Sequence, residues 1–507
     1  MYTLPSMQPA RVFNYFRQIC AIPRPSKHEE RMIAFLQAFA TEHGLACSVD
    51  TAGNVLISKG ASPGREDVAG VILQAHMDMV CEQQAGLGFD FLTQPIRTVA
   101  EGDWLRAEGT TLGADDGIGV AMALAALTDE DLEHGPLECL FTRDEETGLT
   151  GAFALQPGWL HGKYLVNLDS EDEGEIFVGC AGGANTMATW VYEPYPVPDG
   201  RVLLRITVGG LRGGHSGDDI NKRRANANKL LARFLFSIWQ SPEVGQPCSF
   251  RGATGWWGTP YLISIQGGNL HNAIPREAEA VVAVPKDERE RLRVALNVFA
   301  ADVGREYHVE EPGMEWRMES VGTSDGAMLQ SIDPDIARRL IYALQAVHNG
   351  VMEMNQDLPE LVETSSNLAS VKMEEGTNEV MVETSQRSSS LSGRHGMSNT
   401  VRAAFELASA DRVETSPGYP GWVPNPRSHL LQVAVETYRQ LFGKEPKVRA
   451  IHAGLECGLF SEKYPGLDMI SIGPTLRGVH SPDERLLIPT VQMVWDHLAA
   501  ILKQLAQ

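Results

Sequence analysis

The sequence has no pair of cysteines spaced C-x-x-C, and its cysteine count is odd: Cys20, Cys47, Cys81, Cys139, Cys180, Cys248 and Cys457. Such scattered positions fit reduced thiols, not a disulfide framework, and most free thiols serve as small core residues. The chain also lacks any run near the ~20 consecutive apolar residues of a membrane span. Its opening, Met1-Tyr-Thr-Leu-Pro5, has no basic n-region and no apolar h-region, so no signal peptide is expected and a cytoplasmic location is. Positive charge is scarce: 43 Lys and Arg stand against 65 Asp and Glu, a formal net charge of -22. An acidic surface repels phosphate backbones and anionic lipid, which argues against nucleic acid and membranes as partners. No polyacidic tail carries this charge, and the acid clusters span only a few residues, as at Asp144-Glu145-Glu146.

What remains is an ordinary globular composition, 43% hydrophobic and 21% charged. At 507 residues the chain is too long for one core, since a domain takes roughly 100–200 residues. The N-terminal part alternates helix-like periods (9–17, 29–42, 118–127) with short apolar runs that read as strands (68–73, 137–141, 164–168). That alternation predicts an α/β domain with a mostly parallel sheet sandwiched by helices. Past Gly182-Gly183 the texture changes. Strand runs at 202–208, 261–265, 280–284 and 380–383 accompany helices at 225–239 and 336–348, as in an α+β unit. The first style returns with 428–442, 447–451, 469–472 and 490–505. The expected organisation is therefore a catalytic domain made from 1–185 and 400–507, with an inserted lid domain at 186–399 and hinges near Gly182-Gly183 and Ser398-Asn399.

Several acid and histidine clusters fall at strand ends or helix starts, where α/β sheets place their sites. His76-Met77-Asp78 follows the first buried strand, and residues two apart on an extended segment share a side, so Asp78 can orient the His76 ring. Asp115-Asp116 precedes an apolar helix, at its positive end. Asp144-Glu145-Glu146 offers neighbouring carboxylates, one to ligate metal and another to move a proton. Asp169 closes a strand, and His480 follows another some three hundred residues later. Each alone is ordinary loop chemistry, but together they make a site of two histidines and several carboxylates. Those N and O ligands suit zinc, cobalt or manganese.

Taken in order, His76-Met77-Asp78, Gly113-Ala114-Asp115-Asp116-Gly117, Asp144-Glu145-Glu146-Thr147-Gly148, Asp169 and His480-Ser481-Pro482-Asp483-Glu484 resemble a known family. It is the zinc exopeptidase family of aminoacylases, succinyl-diaminopimelate desuccinylases, tripeptidases and dipeptidases. The likeness covers nearly the whole chain. It implies two divalent ions, zinc first, with His76 and Asp169 on one, Glu146 and His480 on the other, and Asp115 rather than Asp116 between them. It implies that Asp78 orients His76 and that Glu145 is the general base.

In the lid, Gly213-Gly214-His215-Ser216-Gly217 resembles the motif whose histidine stabilises the tetrahedral oxyanion. Asn272 resembles a substrate-contacting asparagine, and Arg387 the arginine that grips the substrate's terminal carboxylate. Gly454 and Glu456, in His452-Ala-Gly454-Leu-Glu456-Cys457, are placed at the pocket floor. Ile22-Pro-Arg-Pro-Ser-Lys-His28, the His452 segment and the long lid point to the aminoacyl-histidine dipeptidase branch. The resemblance thus implies hydrolysis of unblocked dipeptides, Xaa-His such as carnosine among them, by a water held between two metals, in a homodimer. An amidohydrolase or deacylase of N-acyl amino acids would share every catalytic residue, and a non-catalytic metal-binding relative would share the ligands.

Overall fold

Val71–His76 is buried at all six positions, as a strand covered on both faces must be. It pairs in parallel with Leu137–Thr142 on one side and Tyr164–Asn167 on the other. Asp468–Ser471 adds a fourth parallel strand beside Tyr164–Asn167. These four are the centre of an eight-stranded sheet whose outer strands are Ala46–Val49 and Val55–Lys59 at one edge, and Glu175–Cys180 and Lys447–Ile451 at the other. Beside the centre the pairing turns antiparallel, as Val55–Lys59 and Glu175–Cys180 join their inner neighbours antiparallel. The Ala-rich helix Ala114–Thr128 is buried from Gly117 through Leu127, the pattern of a helix enclosed all round. It packs on the His76 strand and on helix Ala10–Cys20. Truncating one of its enclosed side chains, Met122 or Leu124, to alanine would cost about 2–5 kcal/mol.

The computed structural model describes residues 7–239, 260–326, 328–356, 358–374 and 376–507. Cys248 and the stretch 1–5 lie outside them. The other six cysteines are free thiols, and among the described residues no helix is long and apolar enough to cross a membrane.

The chain forms two compact units. The first takes residues 1–180, 421–450 and 455–507, and the second takes 181–420 and 451–454. The second therefore runs about twenty residues past the expected boundary at 399. Helix Leu391–Leu407 buries Met397, Val401 and Phe405 in that unit's core. Strand Arg412–Thr415 pairs with Gly182–Val191. Gly182-Gly183 opens a paired strand directly after the boundary between the units at 180/181, whereas Ser398-Asn399 lies inside helix Leu391–Leu407, away from any boundary.

The second unit is built on a nine-stranded sheet. Its path includes the antiparallel partners Tyr261–Gly267 and Ala278–Pro285, then Val362–Met373, Glu379–Ser388 and Gly182–Val191. Helices Ala227–Trp239, Arg289–Glu306 and Pro334–Ala346 pack their apolar stripes against it.

Candidate metal centre

The first unit brings five of the expected residues to the C-terminal ends of its parallel strands. His76 ends its strand, and Asp169 follows Tyr164–Asn167 by two residues. Glu146 lies on the loop after Leu137–Thr142, and His480 on the loop beyond Asp468–Ser471. Asp115 stands at the start of helix Ala114–Thr128, where it and Asp116 leave helical geometry. The two Asp115 oxygens face different histidines. Oδ1 is 3.1 Å from His76 Nε2, and Oδ2 is 3.1 Å from His480 Nε2. Asp169 Oδ1 lies 3.4 Å from the same His76 nitrogen, and Glu146 Oε2 lies 3.0 Å from the same His480 nitrogen. Two groups, each one nitrogen and two oxygens, therefore share one carboxylate.

Asp78 supports this arrangement from behind. Its Oδ1 is 3.3 Å from His76 Nδ1. Its carboxylate also accepts hydrogen bonds from the backbone N–H groups of Glu145 and Glu146 and from Ser26 Oγ. Burial pushes the Asp78 carboxyl up, but His76 and these donors outweigh it and hold it at about 2. The carboxylate run divides its labour. Asp144, at φ +51°, accepts from the hydroxyls of Thr147 and Thr150 and shapes the loop. Glu146 faces His480. Burial, then the neighbouring carboxylates of Asp169, Glu146 and Glu456, raise Glu145 well above its ordinary range. Asp116 turns away: its oxygens accept from the backbone N–H groups of His76 and Gly119.

The cluster is short of cations. Hydrogen bonds to Asp115 and Glu146 push His480 up to about 11. Burial pulls His76 down, but Asp169, Asp115 and Asp78 outweigh it and hold it well above the imidazole range. Burial first, then Asp115, pushes Asp169 up to about 7. Asp115 itself is burdened by burial yet held low by its two imidazole partners. Among the described residues no Lys or Arg pairs with Asp115, Glu146 or Asp169, and Glu146 Oε1 is buried without a partner. His76, Asp115 and Glu146 offer ligand atoms all within 4.8 Å of one another. Imidazole nitrogens and carboxylate oxygens so arranged fit divalent cations.

Three supporting groups carry no sequence signal of their role. Glu484 accepts from the backbone N–H groups of Leu112, Gly113 and Ala114 at 2.7–3.0 Å, at the positive end of the Asp115 helix. Arg24 is buried, and its guanidinium donates to the carbonyls of Met77, Asp78 and Gly113. Glu456, expected at a pocket floor, is 1% exposed. Its Oε2 accepts from Gln74 Nε2 at 2.6 Å and Thr142 Oγ1 at 2.7 Å. Gln74 Oε1 accepts from Asn167 Nδ2 at 2.6 Å, and Asn167 Oδ1 from Ser471 Oγ at 2.5 Å. Gln74 and Asn167 stand two residues before His76 and Asp169, on the same sides of their strands. This polar belt therefore ties the strands leading to His76 and Asp169 together one row beneath them.

The second unit gathers the remaining candidates. His215 Nδ1 accepts from the backbone N–H groups of Gly217 and Asp218, which places the ring proton on Nε2. Burial, then Arg387, lowers its pKa, so the ring is a neutral donor. Asn272 adjoins it through its carbonyl, which accepts from Ser216 N–H. Arg387 is 5% exposed and donates to Tyr419 Oη at 3.3 Å. Gly454 makes room for the same tyrosine, since a Cβ there would come within 2.9 Å of its ring.

Comparison with known proteins bears on this arrangement. Residues 72–504 match the Peptidase family M20/M25/M40. The chain is 40% identical over 505 residues to the cytosol non-specific dipeptidase of Escherichia coli K12, covering 100% of this chain and 99% of that one. The crystal structure of aminoacylhistidine dipeptidase from Vibrio alginolyticus superposes with a TM-score of 0.87 at 41% identity, covering 99% of this chain and 98% of that one. A tripeptidase from Staphylococcus aureus, 16% identical with a TM-score of 0.56, covers 99% of this chain and 100% of its own and shares the fold.

Proposed function

From the premise that this chain belongs to the M20/M25/M40 peptidase family, we propose how its residues hydrolyse dipeptides. The chain is a metal-dependent dipeptidase, as its full-length likeness to two dipeptidases supports. One observation carries the two-metal reading: Asp115 presents one oxygen to each histidine group. His76 and Asp169 would hold one ion and Glu146 and His480 the other, with Asp115 shared between them. When bound, such ions polarise the scissile carbonyl and lower the pKa of water towards neutrality. Zinc is the preferred occupant, with cobalt or manganese as chemically similar substitutes.

The protein's own groups do the rest. Glu145, held near the ligands by the Asp78 carboxylate, takes a proton from the attacking water and returns it to the leaving amine. His215 donates its Nε2–H to the carbonyl oxygen as charge develops there. Arg387 takes the substrate's terminal carboxylate with its planar fork, and Asn272 contacts the substrate beside His215. The substrate class is the unblocked dipeptide, Xaa-His included. A cytoplasmic homodimer completes the reading: the Escherichia coli relative is named for the cytosol, and the dimer rests on the family resemblance.

The test is hydrolysis of β-alanyl-histidine and of its N-acetylated form by metal-stripped protein, before and after adding zinc, cobalt or manganese. Metal-restored cleavage of the free dipeptide alone is expected. Cleavage only of the acetylated form would make the chain a deacylase, and tight metal binding with no cleavage of either would make it a silent relative.

A further inference from the structure

In the second unit, Ser365 and Arg387 stand directly opposite each other on neighbouring antiparallel strands. Their side chains leave the same face, with Cβ atoms about 5 Å apart. His452 closes on this pair, its Nε2 2.7 Å from Ser365 Oγ. The His215 loop reaches the same place, because Gly217 lets it approach the His452 carbonyl more closely than a Cβ would allow. Arg387 and His452 are each 5% exposed. Arg387 Nε and His452 Nδ1 are both buried without a hydrogen-bond partner, and no described carboxylate pairs with the guanidinium.

Two unmet needs therefore lie side by side. A buried guanidinium without a counter-ion is strongly unfavourable. A buried imidazole nitrogen outside hydrogen-bond geometry forfeits its hydration, and the Val362 carbonyl near the ring offsets only part of that. Burial, then Arg387, pulls His452 down to about 3 against the Val362 carbonyl, so the ring is neutral and carries one N–H. We assign Ser365 Oγ as the donor to Nε2, which puts that proton on Nδ1. One ligand anion reaching both groups would satisfy both.

We propose that His452, oriented by Ser365, is a second donor to the substrate's terminal carboxylate beside Arg387, and so sets the preference for dipeptides with a free C-terminus. The proposal rests on the reading of Arg387 as the carboxylate grip. Two donors from different strands and loops recognise a carboxylate by direction as well as by charge. A C-terminal amide turns N–H groups towards donors and is rejected.

The readout is the preference of the metal-loaded enzyme for a dipeptide over its C-terminal amide, as a ratio of kcat/KM, with KM and kcat resolved. His452→Gln keeps an amide near Ser365 and removes the Nδ1 donor, while His452→Asn places an amide N–H at the Nδ1 position. His452→Gln is expected to lower the ratio about ten- to a hundredfold through KM, the worth of one charge-assisted hydrogen bond. His452→Asn is expected to recover most of it, and Ser365→Ala to lower it by a smaller factor. Equal loss on both substrates, or an unchanged ratio in a folded His452→Gln protein, overturns the proposal. Should that variant not fold, Ser365→Ala decides: a lowered ratio supports the proposal and an unchanged one overturns it. Arg387→Gln, run in parallel, separates the two readings. A ratio lowered there but not in His452→Gln removes His452 alone, and a ratio unchanged in both removes the Arg387 reading as well.

Discussion

Glu484 Oε1 accepts a hydrogen bond from the backbone N–H of Ala114 at 2.8 Å, joining the loop four residues past His480 to the turn that carries Asp115. Glutamine at 484 offers one poor acceptor and a misplaced donor. Glu484→Gln is expected to weaken metal binding about ten- to a hundredfold, as loss of a ligand-orienting group does. It should also lower stability by about 1.5–3 kcal/mol for a lost charge-assisted bond. Isothermal titration with zinc and thermal melts check both, and wild-type values in each would remove Glu484 from the support of the site.

Adjacent acids should behave differently. Asp115→Asn is expected to reduce turnover by at least about a hundredfold, because both histidine groups lose their shared oxygen pair. Asp116→Asn keeps an acceptor for the His76 N–H and should retain more than about a tenth of the activity. The reverse ranking in metal content and turnover would move the bridge to Asp116.

Glu145→Gln separates proton transfer from metal binding. Turnover is expected to fall about 10²–10⁴-fold while two equivalents of metal stay bound. Full peptidase turnover in this variant, measured at saturating metal, would end the assignment of Glu145 as general base.

Metal uptake should release protons. A histidine must be neutral to ligate, and here the folded values lie above the usual imidazole range, about 11 for His480 and well raised for His76. Protons therefore compete most strongly at low pH, and the competition fades as pH climbs through those values. Apparent affinity should rise with pH, and calorimetry in buffers of different ionisation enthalpy should report about one proton released per histidine near pH 7. Buffer-independent heats would show that the rings are already neutral.

Glu456→Leu tests the belt under the site. It removes the oxygen that accepts from both Gln74 and Thr142. Metal affinity is expected to drop about tenfold. Lost thermal stability with unaltered affinity would reduce Glu456 to a structural role.

Much of this was legible in the sequence because the candidate ligands end strands and strands advertise themselves. The run Val71–His76 is apolar up to its chemistry, and Tyr164–Asn167 leads straight to Asp169. The supporting groups were not legible, since their partners are far away in the chain. Gln74 meets Glu456 across 382 residues, and Leu112 meets Glu484 across 372. Arg24 lay inside a phrase that suggested kinship but not its buried contacts with Met77 and Gly113. The end of the second unit is hidden in the sequence because helix Leu391–Leu407 and strand Arg412–Thr415 carry no local mark of which core they serve. The site was thus readable where residues act through their neighbours in sequence, and hidden where they act through long-range hydrogen bonds.

The first unit takes its sheet from both sides of the second, with Asp468–Ser471 lying between Tyr164–Asn167 and Glu175–Cys180. A ribosome working from the N-terminus must therefore make residues 181–420 before it supplies that strand or His480. Three of the four parallel strands wait with one edge open while the other unit has its whole main segment available. Completion of the His480 group becomes a late event in synthesis. A chain halted near residue 460 would contain His76, Asp115, Glu146 and Asp169, but neither the fourth parallel strand nor the second histidine.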